Sequence, residues 1–299
     1  MIKGILKKIY HLLIYLPGFV ICKFPLLHSY KIHLLSTWLD IKQRRGIDKF
    51  LFNSLFNFWI KFEYLREKNP DKREKLKGIC MGGNSGREWA RIYDSRPLDF
   101  NSRIGHLNFR EAYPIFDELE GICRNSKDLF IVQIGSSSGR EIAYFVNRYP
   151  EHKYIGTDIY QEVVDYSSHS HKLENLSFKK LSAKDISRLL PKDKNIVIFS
   201  SGSLQYVQPE HIEIFFNSIS DYPAKILLLE PGNDSQDNPE KIEGSLWRTN
   251  FSYTHNYRYY GEKAKIKTIK CKIIKPYSPG DKGFSIHKNT IHYFYYGKR

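Results

Sequence analysis

From residue 129 to residue 231 the chain alternates short apolar runs with amphipathic stretches, and this rhythm constrains its fold more than any other feature. The runs are "LFIVQIG" (129–135), "KYIGTD" (153–158), "LSFKKLS" (176–182), "NIVIFSSG" (195–202) and "KILLLEP" (225–231). Between them lie "GREIAYFVNRYP", "QEVVDYSSHSHKL", "AKDISRLLP" and "PEHIEIFFNSIS", read as helices or short helical turns. Strand and helix in strict succession predict a parallel sheet covered on both faces. The tail changes period. After a helical "HNYRYYGEKA", "KIKTIKCKII" (265–274) and "HKNTIHYFYYG" (287–297) alternate in the manner of strands with one wet face. Joined by the Pro/Gly-rich "KPYSPGDKG", they predict an antiparallel hairpin at the sheet edge.

The first strand runs into "GSSSGRE", residues 135–141. A loop leaving the carboxyl end of the first strand opens on the crevice where doubly wound sheets bind ligands. Gly135 and Gly139 are expected to let the backbone turn and a ligand come close, and the helix that follows offers unpaired N–H groups. A Walker loop requires Gly-Lys-Ser/Thr, and Gly139 is followed by Arg140. A dinucleotide fingerprint requires glycine at 137 and 140, where Ser137 and Arg140 stand. A third pattern, G-x-G-x-G, is matched at 135 and 139, with serine at 137.

On "VQIGSSSG", "YIGTDI", "LSFKKLSAKDI" and "IVIFSSGSLQYV", residues 126–299 resemble a class I S-adenosylmethionine-dependent methyltransferase. The resemblance implies a Rossmann-like, doubly wound, mostly parallel seven-stranded sheet with S-adenosyl-L-methionine as cofactor. It places Gly135, Ser136, Ser137 and Gly139 in the cofactor loop, and makes Asp158, 23 residues after Gly135, the ligand of the ribose hydroxyls. Ile159 follows; Ser182 and Ala183 fall at the adenine edge, with Asp185 a rival one turn on; Ser200 and Ser201 end the fourth strand. Tyr93, in the segment before the first strand, would cover the methionine end. The family's usual acid in the first strand is Gln133 here, and Arg140 is expected to pair with a surface acid or with the methionine carboxylate. "SGSLQYV" is weakly similar to methyltransferases associated with bacterial surface polysaccharides.

The segment after the fourth strand lacks the Asn/Asp-Pro-Pro-Tyr motif of base-amine enzymes and resembles the small-molecule branch of the family; the expected acceptor is a hydroxyl on a small or glycan-type molecule, with the lipid-linked version resting on the N-terminal region. Residues 247–260 crowd Trp247, Arg248, Phe251, Tyr253, His255, Tyr257, Arg258, Tyr259 and Tyr260 together, either as a wall for a ring substrate or as an aromatic packing cluster. For methyl transfer to oxygen, His255 is the candidate general base, with Glu230 or Tyr206 orienting. His211, in a helix's first turn, is expected to be exposed.

Net charge is +15, unevenly distributed. Residues 1–70 carry +8 and residues 261–299 carry +8, while the span between them carries −1. A neutral centre disfavours nucleic acid as partner without excluding an RNA-directed enzyme. A non-catalytic scaffold is the remaining alternative. Cys22, Cys80, Cys123 and Cys271 form no knuckle or redox pair, no metal site is written, and a reducing, cytoplasmic setting is expected. Residues 1–75 read as a basic, aromatic helical region and residues 76–125 as a helical lid or linker before the domain at 126–299. The 14-residue apolar run Ile9–Cys22 is short of the roughly 20 residues a membrane span needs. Residues 1–65 are expected either to lie on an anionic membrane at its inner face or to pack as a helical hairpin on the domain. The charged stretch 66–78 reads equally as a linker or as a solvated helix face.

Overall fold

The computed structural model describes residues 60–94, 103–104, 107–108, 113–234, 239–248, 251–274 and 290–299. The chain divides into two compact units, Met1–Glu88 and Trp89–Arg299. The expectations for the basic N-terminus to residue 59 lie outside the described residues. Among the described residues no helix is long and apolar enough to cross a membrane.

The first unit contains α1 (Lys61–Arg66), α2 (Pro70–Met81) and the start of α3 (Gly83–Asp94). Asn69 opens α2 by accepting from Lys72 N, with Pro70 in the first turn, where a missing N–H costs nothing. The charged stretch 66–78 is therefore largely helix rather than linker.

The second unit is built on a seven-stranded sheet: β1 (Phe130–Ile134), β2 (Lys153–Asp158), β3 (Leu176–Lys180), β4 (Ile196–Ser201), β5 (Ala224–Asp234), β6 (Lys267–Ile274) and β7 (Thr290–Lys298). Their order is 3-2-1-4-5-7-6. Strands β1 to β5 pair in parallel; β7 runs antiparallel between β5 and β6. The tail hairpin expected at the sheet edge is present, with its second strand on the inside.

Period-2 alternation explains why both faces are covered. Val132, Ile198, Ile226 and Leu228 enter one core with α7 (Pro209–Ile219) and α8 (Tyr257–Lys263). Ile131, Val197, Phe199, Leu227 and Leu229 enter the other, with α4 (Pro114–Arg124) and α5 (Arg140–Arg148). The α6 helix (Gln161–Ser170) joins β2 to β3. Residues Ala183–Leu189, expected to be a short helix, form 3-10 turns. Residues Ser245–Trp247 and Tyr253–His255 form a short antiparallel ribbon within the insert after β5. Cys123 is buried, Cys271 is half-buried, and both are free thiols.

Candidate functional site

Register brings the expected residues to one edge of the sheet. Ile134 is level with Thr157 of β2 and with Ser200 of β4, and Ser201 is level with Leu229 of β5. Gly135, Asp158 and Glu230 therefore follow their strands' last core residues at the same carboxyl edge, on either side of β1. The chain runs outward from β1 through β2 to β3 and then crosses back to β4 on the other side of β1, so this edge is the topological switch point where open α/β sheets form their crevice.

The 135–139 loop turns through left-handed conformations at Gly135 (φ 67°), Ser137 (φ 50°) and Gly139 (φ 80°). Ser136 N donates to Thr157 O at 2.8 Å, and Gly139 N closes the turn on Ser136 O at 2.8 Å. The glycines, expected to make room for a ligand, make room for the protein's own side chains. A Cβ on Gly135 would lie 2.2 Å from Ser203 Cβ, and one on Gly139 would lie 2.5 Å from Phe178 Cζ. Ser203 Oγ also donates to Gly135 O at 3.1 Å, tying the loop after β4 to the loop after β1. The hydroxyls of Ser137 and Ser138 and the Gln133 Oε1 are buried with no hydrogen-bond partner. Buried polar atoms are almost always paired, so three orphans within six residues fit a site whose partner is a bound molecule.

Asp158 is partly exposed at the end of β2; its Oδ1 accepts from Tyr160 N at 3.2 Å. Ile159 is likewise partly exposed. Ser182, half-buried, opens the 3-10 turn by accepting from Asp185 N, and Ala183 is buried beside it. Asp185, the rival, is paired with Arg188 at 3.0 Å. The Arg140 guanidinium lies 4.0 Å over the Tyr93 ring, next to buried Glu141. Tyr93 in turn donates to Glu141 Oε1 at 2.9 Å, and the neighbouring Glu141 charge holds its phenol protonated well beyond the usual range.

On the other side of β1, Glu230 is 2% exposed. Its Oε1 accepts from Ser200 Oγ at 2.7 Å and from Ser203 N at 3.2 Å, and its Oε2 accepts from Gln205 N at 3.2 Å. Burial outweighs these bonds and pushes its carboxyl up to about 7. The carboxylate thereby fixes the backbone between β4 and Tyr206. Tyr206 is half-buried on that turn, and burial raises its phenol while the Arg248 charge opposes the rise. Arg248 reaches the same turn, donating to Gln205 Oε1 at 3.0 Å.

His255 departs from its expected role as base. Its Nε2 lies 3.1 Å from Leu204 O, a carbonyl that can only accept, so Nε2 carries the hydrogen. Burial depresses the ring to about 3, so it is neutral and Nδ1 accepts from Ser245 Oγ at 2.6 Å; Tyr260 OH lies 2.8 Å from that hydroxyl. The chain Tyr260–Ser245–His255–Leu204 uses both nitrogens, and the ring braces the turn that carries Tyr206. The aromatic insert is chiefly packing: Phe251, Tyr253, Tyr257 and Tyr260 are buried, while Trp247, Arg248 and Tyr259 stay partly open. His211 is buried rather than exposed, with Nε2 3.4 Å from Lys184 Nζ.

Sequence reasoning passed over Glu141, Ser203 and Phe178. Glu141 had a legible signal, because it shares a helix face at i, i+4 with core Phe145. Ser203 and Phe178 are placed by contacts across strands that no local pattern encodes.

The fold is that of the class I S-adenosylmethionine-dependent methyltransferases, as its solved relatives in shape show. A candidate sarcosine dimethylglycine methyltransferase from Galdieria sulphuraria superposes with a TM-score of 0.52 at 10% identity, over 72% of this chain and 98% of its own. The 1,6-didemethyltoxoflavin-N1-methyltransferase of Burkholderia thailandensis, solved with its substrate and S-adenosylhomocysteine, gives 0.51 at 9% identity, over 78% and 91%. The magnesium protoporphyrin IX methyltransferase of Synechocystis PCC 6803, solved with S-adenosylmethionine, gives 0.50 at 9% identity, over 78% and 100%. These neighbours act on varied substrates. No protein-family profile matches the chain, and no curated protein matches its sequence.

Proposed function

We propose that this chain is a methyltransferase that uses S-adenosyl-L-methionine and acts on a hydroxyl of a small-molecule acceptor. The observation that carries the reading is the pairing, at one switch point, of three buried unpartnered polar atoms, one on β1 and two on the loop that follows it, with a partly exposed Asp158 one strand over. In this reading Ser137 and Ser138 serve the amino-acid half of the cofactor, Asp158 accepts from both ribose hydroxyls, and Ser182 and Ala183 border the adenine. When bound, the cofactor supplies an electrophilic methyl carbon on a sulfonium that is already a good leaving group. The protein's task is then to align the acceptor oxygen and keep out water. Tyr206 and Glu230 suit the acceptor side: Glu230 holds the turn that carries Tyr206, a residue only partly buried there. A glycan-type or lipid-linked acceptor is the version of this reading that the basic, aromatic residues 1–65 favour.

Calorimetry with S-adenosylhomocysteine tests the reading. Asp158→Ala is expected to weaken binding by about tenfold or more, since hydrogen bonds to a charged group contribute about 1.5–3 kcal/mol. A wild-type chain that shows no heat of binding at high micromolar ligand would point instead to the scaffold alternative.

A further inference from the structure

Register sets three lysines abreast on neighbouring strands. Lys225 of β5 is level with Lys298 of β7, and Lys298 is level with Lys267 of β6. Residues directly opposite one another project from the same face, so the three stems follow each other at the strand spacing of about 4.8 Å. Lys225 alternates with Leu227 and Leu229, and Lys298 with Phe294, which puts the row on the face packed by α4 and α5. Like charges directly opposite each other destabilise a sheet. Among the described residues none of the three is in an ion pair; Glu118, on this face, is bonded to Lys270 at 2.6 Å. Burial, and after it the Lys298 charge, lower the Lys225 ammonium from its ordinary value. Arg299 adds a further cation: its N donates to Ala224 O at 3.0 Å and its guanidinium to Lys265 O at 3.1 Å.

Protection of an open edge accounts for a lysine on β6, but not for Lys225 or Lys298, whose strands are paired on both sides. An unrelieved row of cations gains when an anionic surface arrives from outside. Ile269, 47% exposed, is the extra residue of the bulge between Thr268 and Lys270. An open apolar side chain among ammonium groups suits a lipid surface, where charged headgroups lie over hydrocarbon. Single-stranded nucleic acid is instead held on aromatic platforms, and among the described residues the exposed large apolar side chains include one aromatic, Trp89, on α3.

We propose that Lys225, Lys298 and Lys267, with Ile269, dock the amino edge of the sheet on an anionic lipid surface. Glu230 lies five residues further along β5, roughly 16 Å away, so the row is separate from the crevice and does not depend on what the crevice binds.

The test is a lipid titration of the full chain with vesicles of equal parts phosphatidylglycerol and phosphatidylcholine, and with phosphatidylcholine alone. Wild type should bind the anionic vesicles and lose them at high salt. The triple variant Lys225→Gln, Lys267→Gln, Lys298→Gln should bind them at least about twentyfold more weakly, at about fivefold per lysine near such a surface. Removing the same charge at exposed Lys172, Lys179 and Lys241 should cost less than about threefold. Ile269→Ser, which keeps the charge, should weaken binding by about threefold or more. With its repulsion relieved, the triple variant should unfold at a higher urea concentration than wild type; a lower midpoint would show that the fold itself needs these charges and would overturn the assignment. It is equally overturned if wild type ignores anionic vesicles, or if the two triple variants lose the same affinity. Loss of poly(U) binding in the first triple variant, with vesicle binding intact, would assign the row to nucleic acid instead.

Discussion

Replacing Glu230 with glutamine should convert a pH-dependent stability into a nearly pH-independent one. The folded carboxyl ionises near 7 against an ordinary 4.5 because it is wholly buried. The folded state therefore holds its proton more tightly than the unfolded chain does. That stabilisation is complete below 4.5 and is lost as pH rises through 7. With those two values, linkage gives a loss of about 2.5 kcal/mol between pH 5 and pH 8. Glutamine carries no such term, but its NH2 must face one of the backbone donors Ser203 N and Gln205 N, a fixed cost of about 1–3 kcal/mol at every pH. The informative quantity is thus the change in the difference between the two proteins. Urea unfolding of both from pH 5 to 8 should show the variant less stable at pH 5 and gaining about 2.5 kcal/mol on wild type by pH 8. A difference that stays flat to within about 0.5 kcal/mol would refute the claim that desolvation dominates at Glu230.

His255 should act in the opposite sense. Its folded value is depressed from 6.5 to about 3, so the neutral ring's stabilisation is present above 6.5 and is lost as pH falls toward 3; relative to His255→Gln, wild type should weaken by up to about 1.4 kcal/mol per pH unit in that window. Between 4.5 and 6.5 the two groups nearly cancel, so the single variants should diverge there more than either does from a variant carrying both changes. Gly139→Ala forces a side chain into the left-handed region, at about 1–2 kcal/mol, and against the Phe178 ring, at about 1–3 kcal/mol more; thermal unfolding should show a loss of about 2–5 kcal/mol, and a change under 1 kcal/mol would mean the loop relaxes freely.

The five parallel strands and their helices were readable because each apolar run feeds two faces, and the glycine and serine punctuation between strand and helix is local. The level alignment of Gly135 and Asp158 followed from that same regularity once the strand order was assumed. Contacts made across the sheet were less legible. Nothing in "SGSLQYV" announces that Ser203 packs against Gly135, because the contact depends on the register of β4 with β1. His255 reads as a base in isolation, since an imidazole among tyrosines looks available. Only the carbonyl of Leu204, 51 residues earlier, and the Ser245 hydroxyl reveal that its nitrogens are occupied. The crowded aromatics at 247–260 carried two readings with the same sequence signature. Burial decided most of them in favour of packing.

The placement of β7 between β5 and β6 sets an order of assembly. β6 is made before β7 yet, among the described residues, pairs with no other strand, so during synthesis it must wait as an unzipped lysine-bearing segment until residues 290–298 emerge and clip it to the sheet. Its lysines at 267, 270 and 272 suit such an interval, since positive side chains discourage a waiting strand from recruiting a stranger.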